Sequence, residues 1–256
     1  MSSFLERILA SRGKAVERYQ RSIQVYEDAA RNAPPNREFR RALGAEGISL
    51  IAEIKRRSPS KGELKGDLDP AALAASYERG GARALSVLTE PEFFAGSEHD
   101  LVRAREATGL PVLWKDFVLD RSQVVAACAS GADAVLLIVR ILGPRLADLV
   151  DEARRWNLCP LVEIFDESDL DVALDANADV VGVNHRDLST FEEDPTATKR
   201  LRPLVPEGVL VVAESAISTR SDVQSLEDIG VEAVLVGEAL VTSADPEAKV
   251  RELLGT

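Results

Sequence analysis

From residue 48 onward, short apolar runs alternate with stretches of helical periodicity. The runs are "ISLIAEIK" (48–55), "GARALSVL" (81–88), "GLPVLWKDF" (109–117), "GADAVLLI" (131–138), "NLCPLVEIF" (157–165), "NADVVGVN" (177–184), "EGVLVVAES" (207–215) and "GVEAVLVG" (230–237). Helical patterns follow near 70–79, 98–107, 121–129, 144–156, 167–176, 196–202, 219–229 and 246–254. Near-continuous Val, Ile and Leu mark strands buried on both faces, hence a parallel sheet covered by helices. Four of the runs share one phrase, about 50 residues apart, the length of two βα units. Eight such units predict an α/β fold of the closed (β/α)8 type, a TIM barrel. An open doubly wound sheet is the rival, and no Gly-x-Gly-x-x-Gly turn follows the first strand to support it.

Residues 1–45 have a different pattern. Phe4, Leu5, Ile8, Leu9, Val16, Tyr19, Ile23 and Tyr26 recur at helical spacing until "NAPPN" (32–36) breaks it. One or two amphipathic helices are expected there. The domain expectation is therefore a single barrel over 1–256, with residues 1–45 forming an N-terminal helical extension over the barrel mouth.

The first run raises a question about charge, because it carries Glu53 and Lys55 two positions apart. Strand residues two apart point the same way, so both sit on one face at the C-terminal end of strand 1. Lys115 closes strand 3, Glu163 strand 5, Asn184 strand 6 (with Arg186 just beyond), and Glu214 and Ser215 strand 7. Barrel strand ends converge on one mouth, where barrel enzymes hold their chemistry. A lone charge there is an ordinary strand end. An array of three Glu and two Lys is different, since buried charges cost several kcal/mol each unless paired. Paired, they supply acids and bases with displaced pKa values. The loops "SPSKG", "ESAIS" and "VGEAL" add small residues and free backbone N–H groups. After strands 7 and 8 such loops commonly hold a phosphate, with Gly237 and the N–H of Glu238 the candidates.

Composition narrows the classes. The chain has 256 residues and a net charge of −12, which argues against nucleic-acid or anionic-membrane partners. A small anionic substrate in a locally positive pocket remains compatible. No apolar run approaches the roughly 20 residues of a membrane span, and "MSSFLERILASRGK" has no apolar signal core, so a cytoplasmic protein is expected. Cys128 and Cys159 lie in apolar contexts and read as reduced core thiols. His99 and His185 are too few and too far apart for a metal site or a triad; alternation aims His185 away from the mouth.

The stretches "LIAEIKRRSPSKG", "SVLTEPEFFAG", "LWKDFVLD", "LLIVRIL", "LVEIFDESDL", "VGVNHRDLSTFEED", "VAESAIS" and "VLVGEAL" resemble indole-3-glycerol phosphate synthases in order and spacing, over essentially the whole chain. The resemblance implies a carboxy-lyase of tryptophan biosynthesis, with no metal or organic cofactor and with a phosphorylated small molecule as its partner. That substrate would be 1-(2-carboxyphenylamino)-1-deoxyribulose 5-phosphate, closed to a pyrrole with loss of CO2 and water. It further implies Lys115 as general acid, Lys55 and Arg186 as partners of the aryl carboxylate, and Glu163 as base. Glu53 and Glu214 would tune the lysines, with Asn184 and Ser215 orienting them. Pro59, Phe94, Phe117, Phe191 and Leu235 would line the slot for the aromatic ring. Ser58, Ala216, Gly237 and Glu238 complete the substrate contacts. The protein is expected to be a monomer and to be whole rather than one module of a fused enzyme. Three positions depart from the family. Ala216 replaces a usual Gly and would be strained at positive φ, Trp114 replaces a basic residue and is expected to point outward, and Phe165 replaces a common His. The remaining alternatives are another phosphate-binding barrel enzyme (an isomerase, or a Schiff-base aldolase using Lys115) and a non-catalytic binding protein of the same fold.

Overall fold

The computed structural model describes residues 4–59, 61–187 and 190–256, with Leu5 by its backbone alone. Ser60 of the "SPSKG" loop, Leu188 and Ser189 of the loop after strand 6, and the side chain of Leu5 lie outside the described residues.

Eight parallel strands close into a barrel: β1 (Ser49–Ile54), β2 (Ala84–Leu88), β3 (Val112–Lys115), β4 (Ala134–Ile138), β5 (Cys159–Ile164), β6 (Val180–Asn184), β7 (Leu210–Glu214) and β8 (Ala233–Val236). Each pairs with its neighbours in sequence, and β8 returns to β1 through Ile51 opposite Leu235. Two apolar clusters separate the faces. Ile51, Leu113, Leu161, Val180, Val212 and Ala233 pack inside. Their neighbours Leu50, Val112, Trp114, Val162, Val181, Val211 and Val234 face the helices. One-residue alternation along a pleated strand produces this division. Trp114 is fully buried on the outer side, as alternation predicts.

The helices begin where the sequence places caps. Asp69, Ser97, Asp120, Asp166, Thr219 and Asp245 each accept a backbone N–H from the first turn of the helix that follows. Each satisfies a donor that the helix leaves without a partner. These six helices are α4 (Pro70–Gly80), α5 (Glu98–Glu106), α6 (Arg121–Ala129), α9 (Glu167–Asp175), α11 (Arg220–Glu227) and α13 (Pro246–Leu254). Between them lie α7 (Val139–Leu142), α8 (Leu146–Arg155), α10 (Ala197–Leu201) and α12 (Glu238–Val241). The pattern did not disclose α7, α12 or a small hairpin pairing Arg57–Ser58 with Gly62–Glu63; all are too short for periodicity to register.

The leading segment divides between the two ends of the barrel, which corrects the expected extension of 1–45 over the mouth. Helix α1 (Phe4–Arg21) lies at the mouth. Its Ile8 is fully buried in the inner cluster, Tyr19 donates to Glu98 at 2.8 Å, and Arg12 pairs with Asp116 at 2.7 Å. Helix α2 (Ile23–Arg31) packs along α6. After Pro34 and Pro35 the chain is pinned at the opposite end. The Arg37 N–H and the guanidinium of Arg105 both donate to the Asp133 carboxylate just before β4. Helix α3 (Phe39–Leu43) then closes that end. Phe39 and Leu43 are fully buried against the barrel interior, and Ser49, the first residue of β1, donates to the Leu43 carbonyl at 2.8 Å.

Candidate active site

On several strands the residue two positions beyond the inner-core residue is polar. Glu53 follows Ile51, Lys115 follows Leu113, Glu163 follows Leu161, and Glu214 follows Val212. The same alternation that buries the apolar residues therefore delivers these side chains, one layer higher, into the barrel's C-terminal end. They converge. Lys115 Nζ lies 3.4 Å from Glu163 Oε2 and 3.5 Å from Glu214 Oε2. Lys55 Nζ lies 2.5 Å from Glu53 Oε1. Glu53, Glu163 and Glu214 are buried, and Glu163 Oε1 and Glu214 Oε1 have no hydrogen-bond partner.

Two glycines make room for the carboxylates. A Cβ on Gly182, opposite Glu163 in β6, would stand 2.3 Å from Glu214 Oε1. A Cβ on Gly237 would stand 2.4 Å from Glu53 Oε1 and 3.0 Å from Lys55 Nζ. Gly237 was read from the sequence as a point of close backbone approach to a ligand. Its first physical requirement is the seat of the Glu53–Lys55 pair.

The charges tune one another. Burial alone would depress the Lys115 ammonium, but Glu214, Glu163 and Glu53 outweigh it and raise its pKa. Burial pushes the Glu214 carboxyl up to about 8; Lys115 opposes that shift, and Glu163 and Glu53 add to it. Glu53 also feels burial, yet Lys55 and then Lys115 hold it below the usual carboxylate range. A lysine held so firmly as ammonium gives its proton only to a strongly basic oxygen, such as an alkoxide forming on a ketone.

These groups face a cavity of about 440 Å³. Every candidate residue from the sequence lines it. Asn184 sits between Arg186 and the acid layer: its Oδ1 accepts the Arg186 N–H at 3.0 Å, and its Cα is in register with Glu214. Phe94 and Phe117 form a tilted ring pair with centroids 6.0 Å apart, and Phe191 packs on Phe4 at 4.8 Å. With Leu235 and Pro59 they make an apolar wall. The lining also has small and polar members, Ser58, Ser215, Ala216, Gly237 and Glu238. Ala216 has φ 53° and Ser215 φ 69°, so the alanine does occupy a backbone conformation that glycine adopts without strain. Phe165 is buried, with the Arg140 guanidinium 4.5 Å over its ring. His185 turns away from the cavity and bonds the Ser215 carbonyl and the Thr198 hydroxyl.

Several contributors were not foreseen. Asp116 lines the cavity beside Lys115 and is held by Arg12 of α1, by the Thr89 hydroxyl and by its own Phe117 N–H. Glu90 is fully buried, and its carboxylate accepts the N–H groups of Glu92, Phe93 and Phe94, fixing the loop that carries Phe94. Phe4 and Glu193 also line the cavity. Leu136 and Ile138 line it as well, and strand alternation from Ala134 would have found them. For Arg12, Glu90 and Phe4 the sequence carries no comparable signal, because each reaches the site through the fold. Among the described residues, no group of three or more His, Cys, Asp or Glu is placed to hold a metal ion.

The comparisons agree with one another. A family model described as "Indole-3-glycerol phosphate synthase" matches residues 5–253. Indole-3-glycerol phosphate synthase 2 of Streptomyces coelicolor is 50% identical over 229 residues, covering 89% of this chain and 89% of that protein. Indole-3-glycerol phosphate synthase of Dehalococcoides mccartyi is 50% identical over 216 residues, 83% of each. Among solved structures, thiamine phosphate pyrophosphorylase from Pyrococcus furiosus superposes with a TM-score of 0.62 at 18% identity, covering 80% of this chain and 93% of that one. N-acetylmannosamine-6-phosphate 2-epimerase from Clostridium perfringens also gives 0.62, at 17% identity and coverages of 77% and 89%. These two are alike in fold alone.

Proposed function

The chain belongs to the indole-3-glycerol phosphate synthase family, and from that premise we propose how its cavity divides the work. The reaction closes the pyrrole ring of 1-(2-carboxyphenylamino)-1-deoxyribulose 5-phosphate, releasing CO2 and water and giving indole-3-glycerol phosphate. The aromatic carbon that bears the carboxylate attacks the ketone, and Lys115 protonates the ketone oxygen as negative charge grows on it. Lys55 and Arg186 hold the carboxylate. The carboxylate leaves as CO2, and the electrons of the broken bond return to the ring. Glu163 then removes a proton from the carbon beside the nitrogen, and the hydroxyl departs as water. Glu214 and Glu53 help hold Lys115 as the ammonium, Glu53 pairs with Lys55, and the unpartnered oxygens of Glu163 and Glu214 accept from substrate hydroxyls. The phosphate is read at the small and polar residues Ser58, Ser215, Ala216, Gly237 and Glu238, and the aromatic ring against Phe94, Phe117, Phe191 and Leu235. Helix α1 covers the mouth and excludes water.

The observation that carries this reading is the position of Lys115 Nζ, 3.4 Å from Glu163 and 3.5 Å from Glu214 inside one cavity. The same observation disfavours an aldolase, since a Schiff base needs the neutral amine that three carboxylates oppose. No helix among the described residues is long and apolar enough to cross a membrane. With the charge of −12, this supports action in the cytoplasm without nucleic acid or membrane. The exposed large apolar residues, Val25, Val172 and Leu204, lie on separate elements, which supports a monomer. The test is incubation with the carboxyphenylamino-deoxyribulose phosphate, followed by indole fluorescence. The wild-type chain is expected to form the fluorescent product, and Lys115→Ala to lose about 10²–10⁴-fold in turnover. Wild-type-like turnover in that variant removes Lys115 from the mechanism.

A further inference from the structure

Arg186 is engaged by a carboxylate of its own loop. Its Nη2 and Nε both donate to one oxygen, Glu193 Oε1, at 2.5 and 3.1 Å. Both side chains line the cavity. Backbone register fixes the pairing: Arg186 and Glu193 stand opposite each other in an isolated antiparallel bridge. That bridge is flanked by Asp187 N–H donating to the Glu192 carbonyl and Asp194 N–H donating to the His185 carbonyl, at 2.9 and 2.7 Å. Side chains directly opposite in such a bridge meet without extended rotamers. The Arg186 end is pinned again by Asn184 Oδ1.

We propose that Glu193 is a specificity-determining residue that competes with the substrate's aryl carboxylate for Arg186. This rests on the reading above, in which Arg186 receives that carboxylate. Glu193 presents the same chemical group as the substrate to the same guanidinium. An incoming carboxylate must share or displace it, and also sits beside a like charge. Once CO2 has left, the ring has no carboxylate, Arg186 returns fully to Glu193, and the product meets no competitor. Glu193 thus weakens the hold on what enters and leaves the hold on what exits unchanged. An interaction that disfavours the ground state and is gone after the bond breaks adds to the forward driving force.

Glu193→Gln keeps the size and the backbone bridge and removes the charge. It is expected to lower KM for the carboxylated substrate by about two- to fivefold, the factor that a partly exposed ion pair carries. The inhibition constant of the product, indole-3-glycerol phosphate, is expected to stay unchanged. Arg186→Met serves as the companion variant. It should raise KM for the substrate and leave the product constant alone, and an unaltered KM in it would defeat both the carboxylate reading and this proposal. If Arg186→Met raises KM while Glu193→Gln leaves it unchanged or raises it too, the reading stands and the proposal is overturned; Glu193 would then merely hold the arginine in place. A shift of equal size in the product constant of Glu193→Gln would overturn it as well, because the effect would not depend on the carboxylate.

Discussion

Arg12→Met tests whether α1 and the catalytic layer are one construction. Methionine approximates the length of the arginine stem and deletes the charge. Arg12 is 2% exposed, and the Asp116 side chain it pairs with is fully buried. Removing one member of such a pair strands the other, a loss of about 3–5 kcal/mol. Asp116 has an escape, which is to take up a proton. Burial already raises its carboxyl to about 6 against the pull of Arg12, and without the arginine it must rise further, at about 1.4 kcal/mol per unit. The sign follows from linkage. A carboxyl raised in the folded state contributes stability that is complete below its unfolded value near 3.8 and is lost as pH climbs through about 6. In the variant that loss is deeper and extends to higher pH. Near pH 5 the acid is neutral in both proteins, and the wild type even carries a buried guanidinium without its counter-ion. Urea unfolding at pH 8 and pH 5 should therefore show a destabilisation of about 3 kcal/mol at the higher pH, shrinking to about 1 kcal/mol or less at the lower. Turnover should fall too, since Asp116 is the next residue after Lys115. Equal destabilisation at both pH values would refute the argument, because the cost would then come from lost packing and not from the stranded charge.

Ala216→Gly should stabilise the protein by about 0.5–1 kcal/mol, the relief at φ 53° less the extra freedom glycine has when unfolded; a lower melting temperature would show that the alanine methyl contributes packing worth more than the strain. Gly182→Ala drives a methyl to within 2.3 Å of Glu214 Oε1, and moving that carboxylate about 1 Å from Lys115 should cost on the order of 10²-fold in kcat. A structure of this variant with Glu214 in place and kcat intact would dismiss the cut-out. Glu214→Gln should remove a stability loss that the wild type suffers as pH rises from about 4.5 to about 8, because the carboxyl is raised to about 8 in the folded state. Parallel stability–pH curves for the two proteins would count against a shared proton at this site.

The barrel was legible because it is a pattern of long range and high redundancy. Eight runs and their spacing say the same thing, and a misjudged residue in "NLCPLVEIF" or "GVEAVLVG" changes nothing. The charged layer was legible for a related reason: Glu53, Lys115, Glu163 and Glu214 each stand two positions past an inward apolar residue, so alternation assigns their direction before the ring closes. What stayed hidden depends on closure. Arg12 meets Asp116 across 104 positions in sequence, and no local period connects them. Helix α3 has five residues, too few to show a face, and the sequence could not tell that the double proline sends the chain to the far end of the barrel. Arg186 and Glu193 lie seven apart in what reads as a loop, and only the bridge between them turns that spacing into contact.

The same distinction explains where the local rules are broken. A chain optimised for burial alone would not leave Glu163 Oε1 and Glu214 Oε1 buried without partners, because an unmet buried acceptor costs about 1–3 kcal/mol. Nor would it carve away two Cβ atoms, at Gly182 and Gly237, to make room for carboxylates, or set Ser215 and Ala216 both at positive φ. Glu163, Glu214, Ser215, Ala216 and Gly237 line one cavity at the strand ends, and Gly182 lies against Glu214. On the proposed reading, the unmet acceptors in such a place receive the hydroxyls of the substrate. On that reading the substrate supplies the missing partners, so it should raise the melting temperature of the wild-type chain. It should do so far less in Gly182→Ala, where Glu214 has been pushed from its seat.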